Sequence, residues 1–309
     1  MKKLIRYMLP ILMLSLVLFS CREGEKEAKT GKLKILCTTS MIGESMSRIV
    51  GDSMELVTLM GPGVDPHLYK PTPSDLKKME EADIIVLNGL HLEGKMAEVL
   101  GKLKTKQILH MSEFVLDKNR FINNTEFENA QDPHFWFDTD LWKESLGFIT
   151  DLFRQLDKKN ADYYYSNWKK YEAEIIETED YVAKQMSQIP DTSKVLITSH
   201  DAFSYLGRKF DIEVRGLQGI STVVEFGLKD VADIVDFIVE RDIKSIFVES
   251  TVSDKAMQAV VDGVKEKGGE VRIGGTLYGD ALGDPDAPEG TYLGMLKHNA
   301  KTISNGLRN

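Results

Sequence analysis

The stretch from Ala161 to Ile189 carries apolar residues at Ala161, Tyr164, Trp168, Tyr171, Ile175, Thr178 (the weakest member), Val182, Met186 and Ile189. Successive members are 3, 4, 3, 4, 3, 4, 4 and 3 residues apart, which keeps them on one continuous helical face. No Gly or Pro interrupts the run, and Pro190 ends it. At 1.5 Å of rise per residue the helix is about 43 Å long, more than the width of a small domain. A single domain can hold such a helix, but strands alternate with helices on both sides of it. That pattern favours a rigid link between two lobes.

Before the link, the pattern predicts strands at Lys34–Thr38, Glu55–Leu59, Ile84–Asn88 and Gln107–Leu109. It predicts helices at Met41–Gly51, Ser74–Glu81, Glu93–Leu103 and Asp138–Leu156. After it, strands are expected at Val195–Ser199, Glu213–Gly216, Ser245–Glu249 and Glu270–Gly274. Helices are expected at Ala202–Lys209, Leu228–Arg241, Asp254–Lys267 and Gly290–Leu307. Strand–helix alternation implies parallel sheets covered by helices. The expected class is α/β: two lobes, each a mainly parallel sheet flanked by helices, joined by one long rigid helix. The expected division is a signal peptide at 1–20, a tether at 21–32, a first lobe at 33–160, the linking helix at 161–189 and a second lobe at 190–309. The 309 residues suffice for two ordinary cores.

Lys2, Lys3 and Arg6 precede an apolar run from Leu9 to Phe19, the length of a signal-peptide core rather than a membrane span. The run ends in Leu18-Phe19-Ser20-Cys21. A small residue before Cys at this point is similar to a bacterial lipoprotein signal, with Cys21 as the lipidated residue. Residues 22–32 are charged and aperiodic, as suits a tether. Arg22 leaves the position after the Cys without an Asp retention signal, which permits outer-membrane sorting in a two-membrane cell. Loss of the three basic residues of the leader takes the net charge from −9 to −12, which argues against a nucleic-acid partner. With Cys21 lipidated, Cys37 has no disulfide partner and reads as a small buried strand residue.

Three of the six histidines share a setting. His67 lies in a Pro/Gly-rich loop after the second strand, His134 just before a helix, and His200 where a strand gives way to a helix. Loops at the carboxyl ends of parallel strands are where α/β folds bind ligands. Neutral imidazole is a good ligand for divalent transition metals. Asp65, Asp132 and Asp201 each lie within two residues of one of these histidines, close enough to accept a hydrogen bond from the ring and orient it. Asp280 follows the last predicted strand among small residues. Asp284 and Asp286 do not complete a calcium loop with it, because the required Gly and distant Glu are missing.

Five motifs, in order, carry a resemblance: Asp65-Pro-His67; Asp132-Pro-His-Phe-Trp136; Ser199-His-Asp-Ala-Phe203; Gly216-Leu-Gln-Gly219 followed by Ser221-Thr222; and Gly274-Gly-Thr-Leu-Tyr-Gly-Asp280. Together they resemble the TroA-like metal receptors of bacterial ABC importers over nearly the whole mature chain. The resemblance implies a divalent metal held between two lobes by His67, His134, His200 and Asp280. The cargo is Zn2+ or Mn2+. The implied partners are an ABC permease and its cytoplasmic ATPase, with the receptor a monomer, extracytoplasmic and anchored to the membrane through Cys21. Residues 111–131 lack the His-rich loop that many zinc-dedicated members carry. His91, His110 and His298 match no ligand position.

Two other readings compete. A three-His zinc hydrolase needs an open coordination position and a general base. Asp280 fills the fourth place, and no His-Glu-x-x-His helix is present. An adhesive surface lipoprotein would hold no metal.

Overall fold

A computed structural model describes residues 31–103, 106–124 and 130–308, with the backbone alone at 97 and 98. The leader, most of the tether and Cys21 lie outside the described residues.

The first half builds a four-stranded parallel sheet from β1 (Lys34–Cys37), β2 (Glu55–Thr58), β3 (Ile84–Leu87) and β4 (Gln107–His110), in the order β2-β1-β3-β4. Parallel sheets are covered on both faces, so their central strands read as unbroken apolar runs. Ile84-Ile-Val-Leu87 is such a run and is buried throughout. The helices of this half are α1 (Ser40–Val50), α2 (Pro73–Glu81), α3 (Ala97–Leu100) and α4 (Thr139–Leu156). Pro73 opens α2 behind a capping box, in which Thr72 and Asp75 exchange hydrogen bonds. Asp138 caps α4 by accepting from the N–H groups of Asp140 and Leu141.

The helix expected over Glu93–Leu103 is reduced to a 3₁₀ turn at Gly94–Met96 and the single turn of α3. Glu93 is drawn inside instead. Its carboxylate accepts from the Thr38 hydroxyl and from the main-chain N–H groups of Asn88 and Gly89. Gly94 and Gly101 at the ends of the stretch weaken what remains.

The linking helix is α5 (Ala161–Met186). Tyr164, Trp168, Tyr171, Ile175, Thr178, Val182 and Met186 are buried, all of them on the face legible in the sequence. The face rests on α1 and α4 and on α9 (Tyr292–Leu307), so it packs against helices from both sides of the chain. Tyr171 adds a polar tie, its hydroxyl 3.2 Å from that of Ser45. The helix stops one turn short of Ile189, because Pro190 drives the residue before it out of helical geometry. Ile189 stays buried in the closing turn.

The second half pairs β5 (Val195–His200) with β6 (Glu213–Gln218), and β7 (Ser245–Glu249) with β8 (Arg272–Leu277), both parallel. The two ladders lie side by side through β5 and β7. Helices α6 (Ser204–Phe210), α7 (Leu228–Arg241), α8 (Lys255–Glu266) and α9 complete the half. One continuous core runs from Ile35 through Trp142 and Tyr171 to Leu307 and takes in residues from both halves. Each large side chain buried there contributes about 1.5–3 kcal/mol. That stiff frame carries the loops at the carboxyl ends of the strands.

Candidate metal centre

Four side chains meet at those strand ends. His67 lies on the irregular segment between β2 and α2. His134 immediately precedes the 3₁₀ turn Phe135–Phe137 that leads into α4. His200 is the last residue of β5, and Asp280 follows β8. All four are buried. One donor atom from each lies within 4.8 Å of all the others.

His67 Nε2 and His200 Nε2 lie 3.4 and 3.2 Å from Asp280 Oδ2, and His134 Nε2 lies 3.3 Å from Oδ1. The Nε2 atoms of His67 and His134 are 3.4 Å apart. A tetrahedral ion with metal–ligand bonds of about 2.05 Å has ligand–ligand edges of about 3.3 Å. The observed separations match that edge. Asp280 turns both oxygens inward and can offer one or both to an ion.

His200 Nε2 and both Asp280 oxygens are buried, and the polar groups they face are those of the centre itself. Leaving such atoms unsatisfied costs roughly 1–3 kcal/mol each, more when charged. Three ring nitrogens and a carboxylate converge on one point. A cation at that point satisfies them all.

Carboxylates behind the rings set their orientation. Asp132 Oδ1 accepts the main-chain N–H of His134 at 2.9 Å and lies 2.7 Å from its Nδ1. Glu249 does the same for His200, with Oε1 2.8 Å from the main-chain N and Oε2 2.9 Å from Nδ1. With Nδ1 facing a carboxylate, a proton is kept there, and it is Nε2 that is left to offer its lone pair to a cation at the centre. Glu249 escaped the sequence reading. Its signal is an acidic residue closing the apolar strand Ser245-Ile-Phe-Val-Glu249, where an unpaired charge is costly.

Asp65 and Asp201, expected on the rings, are turned elsewhere. Asp65 folds back on its own chain, Oδ1 accepting from the His67 N–H at 2.8 Å, while Oδ2 accepts from the Thr222 hydroxyl at 2.6 Å. Asp201 follows His200 directly out of an extended strand, so the two side chains diverge. Its carboxylate accepts from Ser204 Oγ at 2.7 Å.

Two glycines make room for the centre. A Cβ on Gly279 would stand 2.4 Å from Glu249 Oε2, and one on Gly216 would stand 2.4 Å from the Asp201 nitrogen. The Trp136 indole N–H donates to the Gly279 carbonyl at 3.2 Å, joining the His134 turn to the Asp280 loop. Asn88 Nδ2 donates to the Pro133 carbonyl at 2.9 Å and fixes that turn from the other side.

Burial, helped by the two neighbouring rings, pushes His67 down to about 3 against the pull of Asp280. Burial acts on His134 in the same sense, but the charges of Asp132 and Asp280 overcome it and hold the ring up at about 9. His200 is likewise held well above its ordinary value by Glu249 and Asp280 against the cost of burial. Asp280 lies well below the usual carboxylate range: burial opposes its charge, and the His200 and His134 rings outweigh burial. Two of the rings thus carry protons that an incoming cation must displace.

The other histidines lie apart. His91, exposed and in a left-handed conformation with φ 64°, lines a cavity of about 630 Å³ together with His110. His298 Nε2 lies 3.0 Å from the Thr276 carbonyl oxygen. Cys37 is buried, which pushes its thiol up.

Residues 35–306 match the family described as zinc-uptake complex component A, periplasmic (ZnuA). The chain is 43% identical to the manganese-binding lipoprotein MntA of Bacillus subtilis over 278 residues, 90% of each chain. It is 38% identical to the zinc-binding protein TroA of Treponema pallidum over 283 residues, 91% of each. The solved structure of that periplasmic zinc-binding protein superposes with a TM-score of 0.87 at 37% identity, covering 90% of this chain and all of the other.

Proposed function

The chain belongs to the ZnuA family of metal-binding receptors of ABC importers, which are not enzymes, and from that premise we propose that His67, His134, His200 and Asp280 hold its cargo. The receptor captures a divalent transition metal and presents it to a permease driven by a cytoplasmic ATPase. Relatives carry manganese in one name and zinc in another. The observation that supports the ligand set is the convergence of four buried donors, one atom of each within 4.8 Å of all the others.

Three imidazoles and one carboxylate suit Zn2+, and the intrinsic affinity order places Zn2+ well above Mn2+. Delivery of Mn2+ then depends on which ion is available and on whether Asp280 adds its second oxygen. In this reading the lobes are 33–160 and 190–309, the receptor is a monomer, and Cys21 carries the lipid that keeps it at the outer face of a membrane. Among the described residues no helix is long and apolar enough to cross one. Metal analysis of the protein purified from its own host, followed by competition between Zn2+ and Mn2+, tests the reading. A metal-free protein that takes up neither ion contradicts it.

A further inference from the structure

The three imidazoles are not held alike. Asp132 grips His134, and Glu249 grips His200, at both the main chain and the ring. His67 is gripped only at its main chain, by Asp65, and no carboxylate faces its Nδ1 among the described residues. Its segment between β2 and α2 contains neither helix nor strand, whereas His200 ends a strand and His134 leads into a capped helix.

Outside the centre itself, the outer oxygen of Asp65 ties the His67 segment to the second half by taking the Thr222 hydroxyl at 2.6 Å. Thr222 is 7% exposed, yet its neighbours Val223 and Val224 are 50% and 54% exposed. It stands in the irregular stretch between β6 and α7 and belongs to the Ser221-Thr222 motif, to which neither the ligand set nor the core assigns a role.

We infer that Thr222 is a positioning residue for the cargo: its hydroxyl, acting through Asp65, keeps the His67 segment closed on the metal and so sets how long the ion stays. The inference rests on the proposed ligand set. Release of an ion from four donors proceeds ligand by ligand, and the donor whose ring is least constrained leaves first. Here that donor is His67. A hydrogen bond to a charged group is among the stronger ones in a protein, and its loss lowers the barrier to opening. Association is set mainly by encounter and changes less than dissociation does.

The test loads the full chain with Zn2+ and follows release into excess chelator by stopped flow. Association is measured on the same proteins. Thr222→Val keeps the shape and removes the hydroxyl; Thr222→Ala removes it without bulk; Thr222→Ser restores it; Ser221→Ala is the neighbouring control. Both hydroxyl-free variants are expected to release Zn2+ on the order of tenfold faster, with association within about twofold of the parent. Thr222→Ser and Ser221→Ala are expected to release at the parent rate. Parent-like release from both hydroxyl-free variants overturns the inference. So does fast release from Thr222→Ser, which would make the effect one of packing. Failure of the ligand set is distinct, because then His200→Ala and Asp280→Ala bind Zn2+ as the unaltered chain does.

Discussion

Glu249 holds His200 at two points, one carboxylate oxygen 2.8 Å from its main-chain nitrogen and the other 2.9 Å from its Nδ1. A carboxylate can only accept. The ring must therefore keep its N–H outward on Nδ1, so that when a metal displaces the other proton the Nε2 lone pair faces inward. Glutamine at 249 has the same shape but can donate to Nδ1, which admits the opposite tautomer and blocks Nε2 with a proton. Glu249→Gln is expected to weaken Zn2+ binding by about 10–100-fold, with an unchanged circular-dichroism spectrum. Calorimetric titration reads this directly. Parent affinity would show that the contact does not orient the ring.

The protonated rings give the centre a definite pH dependence. His134, held at about 9, and His200, held well above its ordinary value, carry protons at neutral pH, while His67 at about 3 does not. Binding must expel roughly two protons near pH 7, so affinity should climb as pH rises toward 9. For the metal-free protein the sign reverses. A raised folded-state pKa contributes stability that is complete below about 6.5 and is lost as pH rises through about 9. The rise in melting temperature on adding Zn2+ should therefore be larger at pH 8.5 than at pH 6. Calorimetry at pH 7 in two buffers of different ionisation enthalpy counts the protons, and a count of zero would contradict the assignment.

Much of this was legible in the residues. The α5 face follows from spacing alone, because one period covers the whole buried stripe from Tyr164 to Met186. The central strand β3 was readable because a parallel strand buried on both faces must be apolar throughout. The three histidines stood out in the sequence by their loop settings, and the structure gathers them with Asp280. What sequence proximity could not show was direction. Asp201 is next to His200 in the chain, yet the extended backbone turns it away. Glu249, forty-nine residues on, reaches the ring because β7 lies beside β5. The aborted helix after Glu93 has the same origin, since the burial of that carboxylate against β1 and β3 is a tertiary event.

Thr178, the weakest member of the α5 stripe, is fully buried, and its hydroxyl has no hydrogen-bond partner. A buried hydroxyl without a partner costs about 1–3 kcal/mol. Thr178→Val replaces it with a methyl of similar size at nearly equal helix propensity. The variant should melt higher by a few degrees, on the order of 2–4 °C per kcal/mol for a chain of this class. Thermal melting of the metal-free protein checks this. A lower melting point would mean that the hydroxyl is satisfied in solution.

Cys21→Ser removes the proposed acylation site. The altered protein should move from the membrane to the soluble fraction and lose the mass of the lipid, each acyl methylene having contributed about 0.8 kcal/mol to anchoring. Fractionation with mass spectrometry decides it. A variant that stays with the membrane, beside a parent free of lipid, would remove the anchor from the account.

The central claim is that one ion is held jointly by donors from both sides of the linking helix. Its most direct test is calorimetric titration with Zn2+ and with Mn2+ of His67→Ala, His134→Ala, His200→Ala and Asp280→Ala, with His91→Ala as control. Every ligand variant should bind more weakly than the parent. Asp280→Ala, which strips the anionic oxygen donors, should harm Mn2+ proportionally more than Zn2+. His91→Ala should bind as the parent does. Normal binding by His200→Ala and Asp280→Ala, or loss of binding in His91→Ala alone, would place the ion elsewhere.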